Sequence, residues 1–207
     1  RRDGLLCWCH EHQRSDGTLH DHRDRQARTP GPVDRCMLPL IFEITAGPKP
    51  RGILMGCWDR IEQAYPGERG TADWESPTAE GIQRVTLHVP ERRPVYELLL
   101  GALTAIDVWA RTRWHFPSLL SPYAHVTYEE EPMGSEVWAS TPAMFMRGKA
   151  DCEDMACDHA ADYQLHGVPA RAILQLEGKQ PTGNLWHVVV QLPDGSIEDP
   201  SAVLGMR

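Results

Sequence analysis

The chain of 207 residues has no apolar run near the roughly 20 residues that a membrane-spanning helix needs, which argues against an integral membrane protein. Residues 1–9 also lack the long apolar core of a signal peptide. Basic residues are in deficit, 21 against 29 acidic ones, and the formal charge of −8 argues against a nucleic-acid binder. Six cysteines are too few for a disulfide scaffold, so we expect reduced thiols and a cytoplasmic protein.

The composition changes near residue 36. Residues 1–36 contain seven Arg, no Lys and no helical or alternating apolar pattern. Such a segment cannot bury enough apolar surface to offset its ordering entropy, so we expect a disordered or non-native extension. Its Cys- and His-containing stretches, residues 7–12 and 20–22, would bind metals adventitiously. The folded domain is predicted to span residues 37–207.

Two elements are predicted in the first half of that domain. Residues 82–89 alternate as a strand does, with Val85, Leu87 and Val89 on one face. Residues 94–114 have apolar residues at helical spacing, and a proline suits the first turn. Residues 117–142 are rich in proline, acid and aromatics, and we expect a loop there.

A second helix is predicted from Cys152 to His166. Asp151 occupies the N-cap position, acidic residues follow in the first turn, and Gly167 suits the left-handed residue that ends a helix. Strands are then expected near 170–176, 186–192 and 196–200, with turns at 178–184 and 193–195. Hairpin connections between these strands indicate an α+β domain whose helix packs on an antiparallel sheet.

Cys152 is the candidate nucleophile. A thiol in the first turn of a helix lies near unsatisfied N–H groups and the positive end of the helix dipole, and both favour the nucleophilic thiolate. Asp151, Glu153 and Asp154 oppose its ionisation, so a further cation is needed. A buried, inert thiol is the competing interpretation.

His187 can supply that cation, and Asp199 can orient it. If residues 193–195 form a three-residue loop, with Leu192 opposite Ser196, then His187 and Asp199 become diagonal neighbours roughly 7–8 Å apart at their α-carbons. A two-residue loop would place Asp199 on the other face of the sheet. A satisfied strand histidine and an ordinary Asp-Pro turn are the competing interpretations.

Three blocks carry a resemblance to a known family. Residues 148–156 (GKADCEDMA), residues 186–190 (WHVVV) and Asp199-Pro200 resemble the transglutaminase-like branch of the papain-like cysteine enzymes. The resemblance covers about residues 134–206; Ala150 stands where many members carry glycine. Residues 131–138 and 199–206 are similar to small transglutaminase-like proteins of bacteriophages.

The resemblance implies a papain-like fold and acyl transfer on amide bonds of a protein or peptide, including phage structural proteins. Cys152 would be the nucleophile, His187 the general base and acid, and Asp199 the orienting carboxylate. The Cys152 N–H is the first expected oxyanion donor, and Trp138 is a candidate for the second. Hydrolysis and crosslinking remain open, and no cofactor or metal is expected.

Other polar residues receive simpler interpretations. Cys152 and Cys157 diverge by roughly 140° around a helix, so zinc shared with Asp158 and His159 is disfavoured. Arg111 and Arg113 are predicted to face solvent. The acidic run 129–131 is predicted to be solvated, or else to flank a cleft that prefers basic substrates.

The competing function class is a non-catalytic phage structural or assembly protein that retains the transglutaminase-like fold and uses its cleft only for binding.

Overall fold

A computed structural model describes residues 37–66, 70–90, 92–131, 136–180 and 183–206. The predicted extension, residues 1–36, lies outside the described residues, together with its cysteines and histidines. No helix of the described part is long and apolar enough to cross a bilayer. In chain order the elements are β1 (Met37–Thr45), α1 (Pro48–Ala64), β2 (Ala72–Trp74), β3 (Ile82–Pro90), α2 (Arg93–Trp114), β4 (Thr127–Tyr128), β5 (Val137–Ala139), α3 (Thr141–Arg147), β6 (Lys149–Ala150), α4 (Cys152–Leu165), β7 (Arg171–Gln180), β8 (Gly183–Gln191), β9 (Ile197–Glu198) and α5 (Pro200–Val203).

The described strands form three sheets, and the class is α+β. An N-terminal sheet has the order β2-β3-β1-β5, antiparallel except for the parallel pair β1–β5. β4 and β6 form a short parallel pair. The C-terminal sheet has the order β7-β8-β9 and is wholly antiparallel. Helices α1, α2 and α4 bury apolar side chains in one core with residues of the first and third sheets.

The two predicted elements of the first half are present. In β3, Val85, Leu87 and Val89 are fully buried, because alternate residues of a strand point to the same face. Helix α2 begins one residue before the predicted start and ends at Trp114, and Leu99 and Leu103 lie in the core. The periodicities of 2 and 3.6 therefore predicted the buried faces correctly.

The second half also follows the predicted order of helix and three strands. α4 begins at Cys152, and Gly167 adopts the left-handed φ of +79° just beyond its end. Helix α4 packs on β7 and β8 of the C-terminal sheet. Asp151 is the N-cap by position and backbone, but its side chain forms no capping hydrogen bond.

Two loop predictions were partly wrong. Residues 117–142 include β4 and β5, and α3 starts at residue 141. β5 exists because it pairs in parallel with β1, a long-range contact that local composition does not encode. The predicted turn 178–184 is largely strand, because β7 and β8 continue their ladder beyond a bulge between Leu176 and Gly178.

The prediction that Arg111 faces solvent was wrong. Its side chain is buried, and Nε and Nη2 donate to both carboxylate oxygens of Asp158 at 2.7 and 2.6 Å. Its guanidinium also donates to the carbonyls of Phe116 and Pro117. Arg111 was misplaced because its partner lies 47 residues away; Arg113 is exposed, as predicted.

Candidate active site

The candidate histidine and aspartate meet at the edge of the C-terminal sheet. The Leu192 N–H donates to the Ser196 carbonyl at 2.9 Å, and the β8–β9 ladder continues from there in the same register. This is the register expected for the three-residue turn. His187 Nε2 lies 2.9 Å from Asp199 Oδ2, so the predicted diagonal pair is a direct contact.

Asp199 is held in place from several directions. Its Oδ1 accepts hydrogen bonds from Ser201 Oγ at 2.7 Å and from the Ala202 N–H at 3.0 Å, because Asp199 also caps helix α5. Burial alone would raise the pKa of Asp199, but the hydrogen bonds from Ser201, Ala202 and His187 lower it below its ordinary value. An ionised Asp199 can only accept, so Nε2 of His187 carries the proton.

With the proton on Nε2, the other ring nitrogen of His187, Nδ1, can act as a proton acceptor. In a neutral His187 whose Nε2–H donates to Asp199, Nδ1 keeps its lone pair and can accept a proton from a thiol. The imidazole itself is buried. Asp199 therefore fixes both the tautomer and the orientation of the ring, as a third member of a catalytic triad does.

Cys152 is the first residue of α4 and is completely buried. Its Sγ donates to Glu153 Oε2 at 3.3 Å. The thiol belongs to the same packed cluster as Trp138 and as Val188, the neighbour of His187 on β8. Helix α4 also contacts α5, the helix that Asp199 caps.

The structure thus joins His187 and Asp199 in direct contact. Cys152 lies at the first position of α4, which packs on β8, the strand of His187. The Cys152 thiol donates its hydrogen bond to the carboxylate of Glu153.

Carboxylates crowd the start of α4. Oxygens of Asp151, Glu153 and Asp154 lie within 4.8 Å of one another, and Glu153 lies equally close to Glu131 and Glu136. Such acidic groups favour a protonated thiol, as the sequence predicts.

Asp154 fastens this helix tip to the N-terminal sheet. Its Oδ1 accepts a hydrogen bond from the Ala139 N–H of β5 at 2.5 Å. Burial raises the pKa of Asp154 well above its ordinary value, the charge of Asp151 adds to this, and the Ala139 hydrogen bond opposes it.

Trp138 brings an unused donor into the same region. It is buried, and its Nε1–H has no hydrogen-bond partner among the described residues. Its indole ring contacts Phe42 and Tyr96, with ring centroids 5.4 and 6.3 Å away. A buried donor without a partner is costly, about 1–3 kcal/mol.

A small cavity of about 130 Å³ opens beside the start of α4. It is lined by residues 129–131, by Ala150, Asp151 and Asp154, and by the cations Arg147 and Lys149. The acidic run 129–131 therefore lines a cavity that reaches Asp151, although neither Cys152 nor His187 is among its lining residues.

The residues considered for zinc have other partners. The Cys157 thiol donates to the Leu100 carbonyl at 3.5 Å, and Asp158 binds Arg111. His159 Nε2 lies 2.9 Å from Glu198 Oε2. The His159–Glu198 contact was not predicted; the one signal in the sequence is that Glu198 directly precedes Asp199.

Two comparisons with known proteins were made. A scan against protein-family models finds no match, and a search of curated proteins finds none either.

Proposed function

We propose that the protein is a cysteine-dependent acyltransferase or hydrolase of amide bonds that uses a Cys152–His187–Asp199 triad. The observation that carries the proposal is the 2.9 Å hydrogen bond between His187 and Asp199, in the register expected from the turn. Its support is Cys152 at the first position of a helix that packs on the strand of His187. The triad order matches the resemblance to transglutaminase-like enzymes, and we include a papain-like fold in the proposal.

The proposed reaction starts with transfer of the Cys152 proton to Nδ1 of His187. The sulfur then attacks the amide carbonyl, and the Cys152 N–H and the Trp138 Nε1–H stabilise the oxyanion. The C–N bond breaks while Nδ1 returns its proton to the leaving amine, which leaves a thioester on Cys152. Water completes hydrolysis, whereas an amine of a second substrate completes crosslinking.

The charges around the cleft favour basic substrates. Residues 129–131, Asp151 and Asp154 outnumber the cations Arg147 and Lys149 there. A lysine or arginine side chain of a protein substrate, phage structural proteins included, would lower the repulsion among these acids. All groups that take part in the proposed reaction come from the protein, so no cofactor or metal is needed.

Complete burial of Cys152 favours a second candidate, a non-catalytic structural or assembly protein that retains the same fold. A thiol that donates to a carboxylate and has no exposed surface is the arrangement of an inert cysteine. The first candidate requires that the residues covering Cys152 move aside in the free protein often enough for a small reagent or a substrate to reach the thiol. The two candidates therefore differ in the reactivity of this one thiol.

Alkylation by iodoacetamide near neutral pH tests the proposal. Burial raises the pKa of Cys57 to about 11, with Arg60 opposing this, and burial raises the pKa of Cys157 well above its ordinary value. These two thiols are internal references. We expect Cys152 to react faster than both; tandem mass spectrometry distinguishes Cys152 from Cys157, which share a tryptic peptide.

Two variants complete this test. His187→Ala is expected to abolish the excess reactivity of Cys152, because Nδ1 of His187 is the proposed acceptor of the thiol proton. His88→Ala, at a partly exposed histidine of β3, is the matched control and is expected to react like the wild type. Equal reactivity of Cys152 and Cys157, unchanged in His187→Ala, would refute catalysis and support the non-catalytic candidate.

A further inference from the structure

The strand that leads to Asp199 is held in the sheet by very little. β9 has two residues, and its ladder with β8 consists of two pairs, Val190 with Glu198 and Gln191 with Ile197. It is also the last strand of the C-terminal sheet, so backbone pairing fixes it from one side. The position of Asp199, the next residue, therefore depends on its own hydrogen bonds to Ser201 and Ala202 and on what else holds Glu198.

Two side chains of α4 bind the carboxylate of Glu198. His159 Nε2 lies 2.9 Å from Oε2, and the Tyr163 hydroxyl donates to Oε1 and Oε2, both at 3.0 Å. The two rings also contact each other edge to face, with centroids 5.0 Å apart. We call these three residues the Glu198 clamp. Both oxygens of the carboxylate are engaged, so its position relative to α4 is well determined.

The clamp and the candidate nucleophile lie along one side of the same helix. Seven residues separate Cys152 from His159, which corresponds to about 700° of rotation and about 10 Å of rise, so the two lie within about 20° of the same face. Tyr163 follows His159 by four residues, one further turn. Helix α4 can therefore set the nucleophile and the strand of Asp199 relative to each other.

The His159 ring is enclosed and contributes one nitrogen to the clamp. It is 6% exposed, and its Nδ1 has no hydrogen-bond partner among the described residues. The contact of Nε2 with Glu198 is therefore the hydrogen bond that orients this ring. The Glu198 hydrogen bond raises the pKa of Tyr163, and the charges of Glu198 and Asp162 add to this effect.

We propose that His159 and Tyr163 are positioning residues that hold Glu198, and through β9 hold Asp199 against His187. This role rests on the proposed triad. His159 and Tyr163 would affect the reaction only by positioning Asp199, without contacting the substrate or the Cys152 thiol. Outer-shell partners of this kind typically contribute about 10- to 100-fold in metal sites. We expect the lower end here, because the clamp acts through one peptide bond rather than on the imidazole itself.

The experiment measures Cys152 alkylation rates in the full chain for His159→Leu, Asp199→Ala and the double variant. We expect about a tenfold loss for His159→Leu and no further loss when it is added to Asp199→Ala, because the clamp acts only through Asp199. His159→Gln, whose amide N–H can replace Nε2–H, is expected to restore most of the rate. His166→Leu, at an exposed histidine of the same helix end, is the matched control.

The outcomes distinguish a failure of the proposed triad from a failure of the Glu198 clamp alone. Wild-type alkylation that does not depend on His187 would overturn the triad and this inference with it. Alkylation that depends on His187 but is unchanged in His159→Leu, or is slowed additively with Asp199→Ala, would overturn the clamp alone. Tyr163→Phe keeps the ring and removes the hydroxyl, so it provides the same comparison if His159→Leu fails to fold.

Discussion

Glu153 is predicted to restrain the thiol that we propose as the nucleophile. Its Oε2 accepts the hydrogen bond of Cys152 Sγ at 3.3 Å, and both side chains are buried. A carboxylate that accepts from a thiol stabilises the protonated form and repels the thiolate. Glu153→Gln removes that charge at nearly constant volume, so we expect it to raise the reactivity of Cys152 towards iodoacetamide at pH 7.

The magnitude follows from the contact distance. Two unit charges 3.3 Å apart repel by about 1 kcal/mol even in a water-like dielectric, and a hydrogen bond to a charged group exceeds a neutral one by about another 1 kcal/mol. A gain of about 1–2 kcal/mol raises the thiolate fraction roughly 5- to 30-fold. Because nucleophilicity falls as a thiol becomes more acidic, with a Brønsted coefficient of about 0.4–0.5, the observed rate is expected to rise about two- to eightfold.

The assay compares pseudo-first-order alkylation of Cys152 in the wild type and Glu153→Gln, with the melting temperature as a check on the fold. Glu75→Gln, at an exposed position, is the matched control and is expected to leave the rate unchanged. Glu153→Ala is avoided because a shorter side chain would also open access to the buried thiol. A rate in Glu153→Gln equal to or below that of the wild type, with the fold intact, would refute this account of the thiol.

Two further predictions concern stability. Arg111→Met leaves the buried Asp158 carboxylate without its cation, so we expect the free energy of unfolding to fall by about 3–5 kcal/mol, or the melting temperature to fall by roughly 6–20 °C. The control Arg113→Met, at an exposed position, is expected to cost under about 1 kcal/mol. An equally small loss for Arg111→Met would contradict the burial of the Arg111–Asp158 pair. Gly148 has φ +66°, and an added Cβ would lie 3.3 Å from the carbonyl oxygen of His125, so Gly148→Ala is expected to lower the free energy of unfolding by about 1–2 kcal/mol. Gly52→Ala, where nothing lies within 4 Å, is expected to raise it by roughly 0.5–1 kcal/mol, and a neutral or stabilising Gly148→Ala in urea denaturation would contradict the strain argument.

Local signals account for the parts of the fold that could be predicted. The alternation in residues 82–89 and the helical spacing in 94–114 reflect the burial of one face, which is a property of neighbouring residues. The turn at residues 193–195 fixed the register of β8 and β9, and with it the contact of His187 with Asp199. Turn chemistry and strand periodicity therefore predicted the contact between His187 and Asp199.

Partners far apart in the chain account for what could not be predicted. Helix α1 is not among the predicted elements, although its apolar stripe is similar to that of α2; Leu54 and Ile61 are buried in the core that α1 shares with α2. The Glu198 clamp was missed because His159 was considered as a metal ligand, whereas its carboxylate partner lies 39 residues away on a strand edge. Spacing within one segment indicates which residues share a face, but not which segment covers that face.

The turn between β5 and α3 shows why buried acids surround this site. Ser140 gives no side-chain cap to α3, so the first N–H of that helix, from Thr141, needs another acceptor. Asp107 of α2 accepts it at 2.7 Å, Asp158 of α4 accepts the Thr141 hydroxyl at 2.6 Å, and Asp154 accepts the Ala139 N–H.

Three carboxylates from two helices thus fix the few residues that directly follow Trp138. Apolar packing alone would leave these donors unsatisfied at about 1–3 kcal/mol each, and it would tolerate rotation of the turn. Hydrogen bonds to carboxylates are directional, so they hold the Trp138 Nε1–H at a defined position relative to the start of α4. An oxyanion donor, the role that we propose for Trp138, needs this kind of preorganisation.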